Sequence, residues 1–224
     1  MFKSLHLKHL HSLRKAVLRP PSPTRPMLWL IEKDGVRAVL KDFSTTGFWF
    51  RNLAGRFLIW RESRAYRRLE NLEGVPRLYR VMDGVALVLE EIPGTSLADL
   101  KEGMVLPEDF FAACQRLVFR FHARGIAHCD LKRAPNIILG SDERPYIVDW
   151  AAAILESEFR FFPLNRIYRR FCLDDELAII KLKLKHCPDA VTEEEKGRFE
   201  YRSGPEKSIR AIRDRLRKLL KRIA

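Results

Sequence analysis

The sequence predicts an α+β protein, with short strands gathered in its N-terminal part and helices dominating the remainder. Three observations carry that expectation. Asp34-Gly35 splits two short apolar runs, and such a link signals a hairpin because both turn positions need positive φ. Val85–Leu89 is an unbroken apolar run of strand length. Residues 58–72 and 107–124 instead repeat their apolar side chains at helical spacing.

Composition bounds the classes available. The 224 residues are 46% hydrophobic and 32% charged, which suits a folded chain and excludes disordered or collagen-like ones. No run of about 18 uncharged apolar residues occurs, so no spanning helix is expected. The basic N-terminus lacks the continuous apolar core of a secretory signal, although acid-free, Arg-bearing ends also occur in organelle transit peptides. Cys114, Cys129, Cys172 and Cys187 show no CxxC spacing and read as reduced thiols of a cytoplasmic protein. The net charge of +13 sits at the ends: residues 1–26 carry six Lys/Arg and no acid, and residues 196–224 carry eleven against three acids. The body between them, 27–195, is nearly neutral. Basic ends imply an anionic partner or surface, with solvated tails as the bland alternative.

Taken in order, residues 1–18 place Phe2, Leu10, Leu13 and Val17 roughly on one helical face. His6, His9 and His11 lie nearby without an added Cys or carboxylate, and read as solvated rather than metal-binding. Residues 19–26, RPPSPTRP, form a proline-rich connector, neither helix nor central strand. Leu28–Lys33 and Val36–Lys41 are the hairpin strands, the second turning Val36, Ala38 and Leu40 to one face. In the helix over 58–72, Leu58, Ala65, Tyr66, Leu69 and Leu72 share a face with Glu62. A carboxylate pointing into a core needs a cation, because unpaired burial costs several kcal/mol. Val85–Leu89 ends in Glu90-Glu91 before the turn Pro93-Gly94. The helix over 107–124 turns Phe110, Cys114, Leu117, Val118 and Phe121 inward and stops near Gly125. Asn136–Leu139 and Tyr146–Val148 are short strands, and after Ala153 the chain reads as mostly helical. No internal repeat occurs.

The chemistry concentrates in His128-Cys-Asp130-Leu-Lys132-Arg-Ala-Pro-Asn136 and in Asp149-Trp-Ala151. Phosphoryl transfer needs a carboxylate near the attacking hydroxyl, oxygen ligands for Mg²⁺, and a fixed cation on the nucleotide phosphates. Asp130, Asn136 and Asp149 are able to supply the first two and Lys41 the third, with Glu62 holding the lysine.

On these residues the chain resembles the protein-kinase superfamily. His128–Asn136 looks like the catalytic-loop motif H-R-D-L-K-x-x-N, Asp149-Trp-Ala151 resembles D-F-G, Val36–Lys41 resembles the V-A-I-K strand, and Glu62 matches the helix-C glutamate. The resemblance spans roughly residues 27 to 180 and implies a two-lobed protein-kinase-like fold. It implies a small β-rich N-lobe over 27–92 and a reduced, mainly helical C-lobe over 93–204, flanked by the basic N-terminal segment 1–26 and a basic amphipathic C-terminal helix 205–224 that the charge and apolar patterning mark. ATP in the cleft is implied with it. Asp130 would be the base, Asn136 and Asp149 the Mg²⁺ ligands, and Lys41 the phosphate cation. Glu90, Glu91 and Ile92 would offer backbone groups to adenine, and Lys132 would steady the phosphoryl group unless it is simply solvated. His128 would brace the loop. Each polar residue also has a plain structural role open to it, turn capping above all.

The departures narrow the likeness. No glycine precedes Gly35, so the Gly-rich phosphate cover is missing and RPPSPTRP stands roughly in its place. Cys129 replaces the catalytic-loop arginine, Asp130 and Asn136 are six rather than five residues apart, Ala151 replaces the D-F-G glycine, and no A-P-E follows. Short kinases of this kind are similar to the RIO-type and bacterial lipopolysaccharide-kinase-like group, which includes enzymes phosphorylating Kdo or heptose sugars. The span from Arg51 to Val81 also looks like that group. The implied acceptor is a hydroxyl on a membrane-linked sugar, with peripheral contact between the basic ends and an anionic membrane at the cytoplasmic face of the inner membrane. A small atypical serine/threonine protein kinase acting on a protein hydroxyl, and a nucleotide-binding pseudokinase scaffold, are the alternatives; nucleic acid is not expected as a partner, since no recognition motif appears. The C-terminal stripe Ile209, Ile212, Leu216, Leu219, Leu220 and Ile223, opposed by arginines and lysines, would lie on a membrane or pack on its own domain. Residues 159–171, FRFFPLNRIYRRF, are likewise aromatic and basic, fit to shape an acceptor site or touch lipid.

Overall fold

The computed structural model describes residue 2 and residues 12–20, 22–101 and 104–200. The C-terminal stripe at 209–223 and the His6, His9 and His11 cluster lie outside the described residues. The chain is α+β. A five-stranded antiparallel sheet in the order β1-β2-β3-β5-β4 is built from β1 (Arg14–Arg19), β2 (Met27–Lys33), β3 (Val36–Asp42), β4 (Leu78–Met82) and β5 (Ala86–Glu90). Asp34 and Gly35 link β2 to β3 at φ of 52° and 75°, the left-handed pair that a tight hairpin demands.

The expected helix over 1–18 is corrected within its described part: Arg14–Arg19 is an edge strand paired antiparallel with β2. Its side chains from Lys15 to Leu18 are exposed, so no buried stripe existed to hold a helix. The strand is held instead by its ladder and by Arg14, whose guanidinium lies 4.0 Å over the Trp29 ring and 3.6 Å from Asp42. The sheet thus begins N-terminal to residue 27, and RPPSPTRP becomes the β1–β2 connection, pinched by the Ser22–Arg25 bridge.

Period-two alternation decides which side chains meet the helix. Ile31, Ala38, Leu40, Ala86 and Val88 pack on one face of the sheet with Phe2 and Met82. Leu87 and Leu89 pack on the other with Ile59, Tyr66 and Leu69. β5 is buried on both faces, which is why it reads as an unbroken apolar run. Lys41 is one residue beyond Leu40 and so faces the helix side.

That helix is α2 (Arg56–Arg68), entered continuously from α1 (Phe48–Phe50) through a wide π-type turn at Arg51–Gly55. From β5 the chain crosses through Glu91 to Pro93 into β6 (Gly94–Ser96), the edge of a small sheet ordered β6-β8-β9, with β8 (Ile137–Gly140) and β9 (Pro145–Ile147). Gly94 is required there, because a Cβ would stand 2.2 Å from the Leu139 carbonyl. α3 (Glu108–Ala123) packs against α4 (Leu164–His186), and β7 (Ile126–Ala127) pairs with β10 (Ile154–Leu155). α5 (Glu193–Glu200) closes the described chain. Phe110, Cys114, Leu117, Val118 and Phe121 of α3 are all buried in the principal core. Such fully buried side chains each contribute about 2 kcal/mol.

Candidate functional site

Lys41 is nearly sealed from solvent and makes two ion pairs, each 2.7 Å long: one to Glu62 of α2 and one to Asp149 after β9. Glu62 is wholly buried, and its Oε1 meets no hydrogen-bond donor. Asp149 differs, with about a third of its side chain open to solvent. Burial opposes the charge on Lys41, but Glu62 and Asp149 outweigh it and hold the ammonium above its ordinary range. Burial raises Glu62 despite Lys41, with Asp149 adding to the rise. For Asp149 the burial penalty is overcome by Lys41, which keeps this carboxylate below its ordinary range. A lysine fixed between two carboxylates of unequal exposure has one anchored side and one side facing outward.

The loop from His128 to Asn136 is held by α4. Asp175, fully buried, accepts the backbone N–H of His128 at 2.7 Å and of Cys129 at 2.9 Å. These bonds support Cys129 at φ 67°, a left-handed conformation costly for a side chain with a Cβ. The buried His128 ring accepts the Asp130 N–H at Nδ1 (3.3 Å) and lies 3.0 Å from the Val148 carbonyl at Nε2. That pair assigns the ring proton to Nε2 and ties the loop to the end of β9. Trp150 closes the back of the ring at 4.7 Å.

Asn136 joins the two halves. Its Nδ2 donates to the Asp130 carbonyl at 3.0 Å and approaches the Asp130 carboxylate at 3.4 Å, and its carbonyl accepts the Val148 N–H at 2.9 Å. β8 and β9 pair Ile137 with Ile147, so Asn136 and Asp149 leave neighbouring strand ends of one ribbon. Lys41, Glu62 and Asp149 are therefore in direct contact, Asp130 and Asn136 form a second contacting pair, and the Val148 N–H on the Asn136 carbonyl ties that pair to the residue before Asp149. With its Nδ2 turned to Asp130, Asn136 keeps Oδ1 as a free-standing acceptor, and Asp149 engages Lys41 through Oδ1 alone. Two hard oxygen donors of this sort suit Mg²⁺, which takes one or two protein ligands and completes its shell with water and phosphate oxygens. Among the described residues no group of three or more His, Cys, Asp or Glu forms an all-protein metal cage.

Lys132 is not drawn into this cluster; it is exposed on the loop. The Glu90 N–H is spent on the Arg77 carbonyl at 2.8 Å, and the Glu91 carboxylate pairs with Arg37 at 2.7 Å. The sequence reading missed four residues. Arg133 contacts the Asp130 carboxylate at 3.3 Å. Tyr66 packs beside Glu62 and Asp149, and burial followed by those two charges raises its phenol well above its ordinary range. Asp175 has no sequence signal, because its partners are backbone amides 46 and 47 positions earlier. Arg19 ends β1 with its Nε buried and unpartnered, its Nη2 reaching the Pro26 carbonyl at 3.5 Å. Its charge is felt at both Glu62 and Asp149. An arginine flanking prolines in a glycine-free connector was the available clue.

No protein-family model matches the chain, and no curated protein matches it.

Proposed function

We propose that the chain is an ATP- and Mg²⁺-dependent kinase of protein-kinase-like fold, transferring the γ-phosphoryl group to a hydroxyl, with a membrane-linked sugar as the acceptor. The observation that carries this reading is Lys41 held at 2.7 Å each between buried Glu62 and partly open Asp149, whose neighbour Val148 is hydrogen-bonded to the Asn136 of the Asp130–Asn136 pair. A buried ion pair on its own is weak evidence of a stabilising role, since desolvation offsets most of its attraction. A three-membered cluster whose outer carboxylate is solvent-accessible is better accounted for by a phosphate and cation site.

In this reading Lys41 binds the nucleotide phosphates, with Glu62 fixing its position. Asp149 and Asn136 Oδ1 would hold Mg²⁺, which when bound neutralises charge on the phosphate oxygens. Asp130 orients the acceptor hydroxyl and takes its proton as the oxygen bonds to the γ-phosphorus. The bond from that phosphorus to the β–γ bridging oxygen breaks, and ADP leaves. Arg133 and Asn136 restrain the Asp130 carboxylate. With the Glu90 N–H already bonded, adenine recognition falls to Glu91 and Ile92.

Incubation with labelled ATP, with and without a lipopolysaccharide-core extract, tests the reading. Transfer of label to the glycan supports it; label on protein instead favours the protein-kinase alternative. Asp149→Asn should cut turnover by at least about a hundredfold while the protein stays folded, and wild-type turnover in that variant refutes the assignment. One feature favours a scaffold: the β1–β2 connection has prolines where a flexible backbone would wrap phosphates. A thermal shift by Mg·ATP without any turnover would select that reading.

A further inference from the structure

An unusual amount of aromatic surface lies away from the cluster just described. Along the continuous helix from Phe48 to Arg68, Trp49, Leu53, Phe57 and Trp60 follow one another at three- or four-residue intervals. Trp49 is 76% exposed and Leu53 70%. The Phe57 and Trp60 rings lie 5.9 Å apart, and the Arg64 guanidinium sits 4.7 Å over Trp60. At Arg64 the apolar stripe runs into a cavity of about 730 Å³ between α2, the segment after β10 and the start of α4. Its wall carries Arg64, Arg67, Arg68, Arg160 and Arg169 against the single acid Glu156. Directly after the lining residue Arg160 come Phe161, 79% exposed, and Phe162, 70% exposed, with Arg166 stacked 4.9 Å over the Phe162 ring.

Two polar groups in the cavity wall are left unsatisfied. Asn165 Oδ1 is buried without a partner, and the buried Tyr168 hydroxyl makes no hydrogen bond to oxygen or nitrogen, with the weakly bonding Cys172 thiol beside it and the Glu156 and Asp175 carboxylates within electrostatic reach. Arginines beside an unpaired hydroxyl donor match a phosphate, and an unpaired amide oxygen matches a hydroxyl of the same headgroup. The flanking aromatic and aliphatic side chains match acyl chains at an interface.

We propose that this face docks on an anionic phospholipid surface, with a lipid phosphate in the arginine cavity and the Trp49–Trp60 stripe and Phe161-Phe162 entering the interface. Charge complementarity selects the occupant. Arg64 is partly neutralised by Glu158 at 3.2 Å, but Arg67, Arg68, Arg160 and Arg169 answer anionic headgroups, while Leu53, Leu164 and Ile167, partly or largely exposed, have no role in stacking nucleic-acid bases. The contact deepens the acceptor assignment by holding the protein where a membrane-linked sugar lies, yet it is measured without any phosphoryl transfer.

The test is co-sedimentation of the full chain with vesicles of phosphatidylcholine alone or mixed equally with phosphatidylglycerol. Trp49→Ser/Phe161→Ser/Phe162→Ser keeps every charge, including those of both termini, and should weaken binding to the anionic vesicles by about tenfold or more. Arg67→Glu/Arg169→Glu should weaken it comparably, and it gives an independent readout if the triple variant fails to fold. Wild-type binding by the charge-preserving variant, tighter binding of the native chain to single-stranded RNA, or burial of the stripe in a dimer of this chain would each overturn the proposal. Loss of vesicle binding with intact transfer to a soluble acceptor, or the reverse, separates this inference from the kinase reading.

Discussion

Lys41 and Glu62 show how little a single residue says until its partner is known. Each is buried, and each alone is costly to keep there. Replacing only Lys41 by Met strands Glu62 in the core and should lower unfolding stability by about 3 kcal/mol, although part is recovered because burial already favours the protonated acid. The double variant Lys41→Met/Glu62→Gln should regain most of that loss in urea unfolding while remaining inactive in phosphoryl transfer. With Glu62→Gln measured alongside, a double-variant loss equal to the sum of the two single losses would show that the two side chains are not energetically coupled. Activity surviving in the double variant would remove Lys41 from the chemistry.

At the level of the element, the β1–β2 connection is the unusual part. Its prolines fix the backbone where phosphate-binding hairpins rely on glycine, so backbone amides are fewer and stiffer. Arg19, at the strand end, brings a guanidinium to within electrostatic reach of Asp149, and on the proposed kinase reading would supply in charge what the connection lacks in amides. Arg19→Ala should raise KM for ATP by about tenfold with a smaller change in kcat, and Arg19→Lys should restore much of it. If Arg19 served only to pin Pro26, Lys would not rescue and hairpin stability would change in place of KM.

For the whole molecule, α4 is the keel. Asp175 supports the His128 and Cys129 amides and also meets His122 of α3 at 3.2 Å. Burial alone would lower the His122 pKa, but Asp175 and then Cys172 raise it to about 9 from an ordinary 6.5. A raised histidine contributes fully below pH 6.5 and loses that contribution as pH rises through about 9. Chemical denaturation should therefore show stability falling by about 2 kcal/mol between those limits, discounted for the partly exposed ring. His122→Gln should flatten that slope; an unchanged slope would place the titration elsewhere.

Periodicity was sufficient for much of the architecture. It gave the Asp34-Gly35 hairpin, the doubly buried β5, the inward face of α3 and the placement of Glu62 on the core side of its helix. Those features depend on the spacing of apolar residues and on turn chemistry, both local properties of the chain. β1 was misread because an exposed edge strand carries no periodic signal; its partner, β2, decides its conformation. Asp175, Arg19 and Arg133 were invisible for a related reason, since their significance lies in distant backbone groups and charges. The residue types that the proposed chemistry needs are thus present in the sequence. The meeting of Glu62 and Asp149 on one lysine, and the joining of an aromatic stripe to an arginine cavity, were decided by tertiary packing, because contacts between remote segments leave no spacing to read.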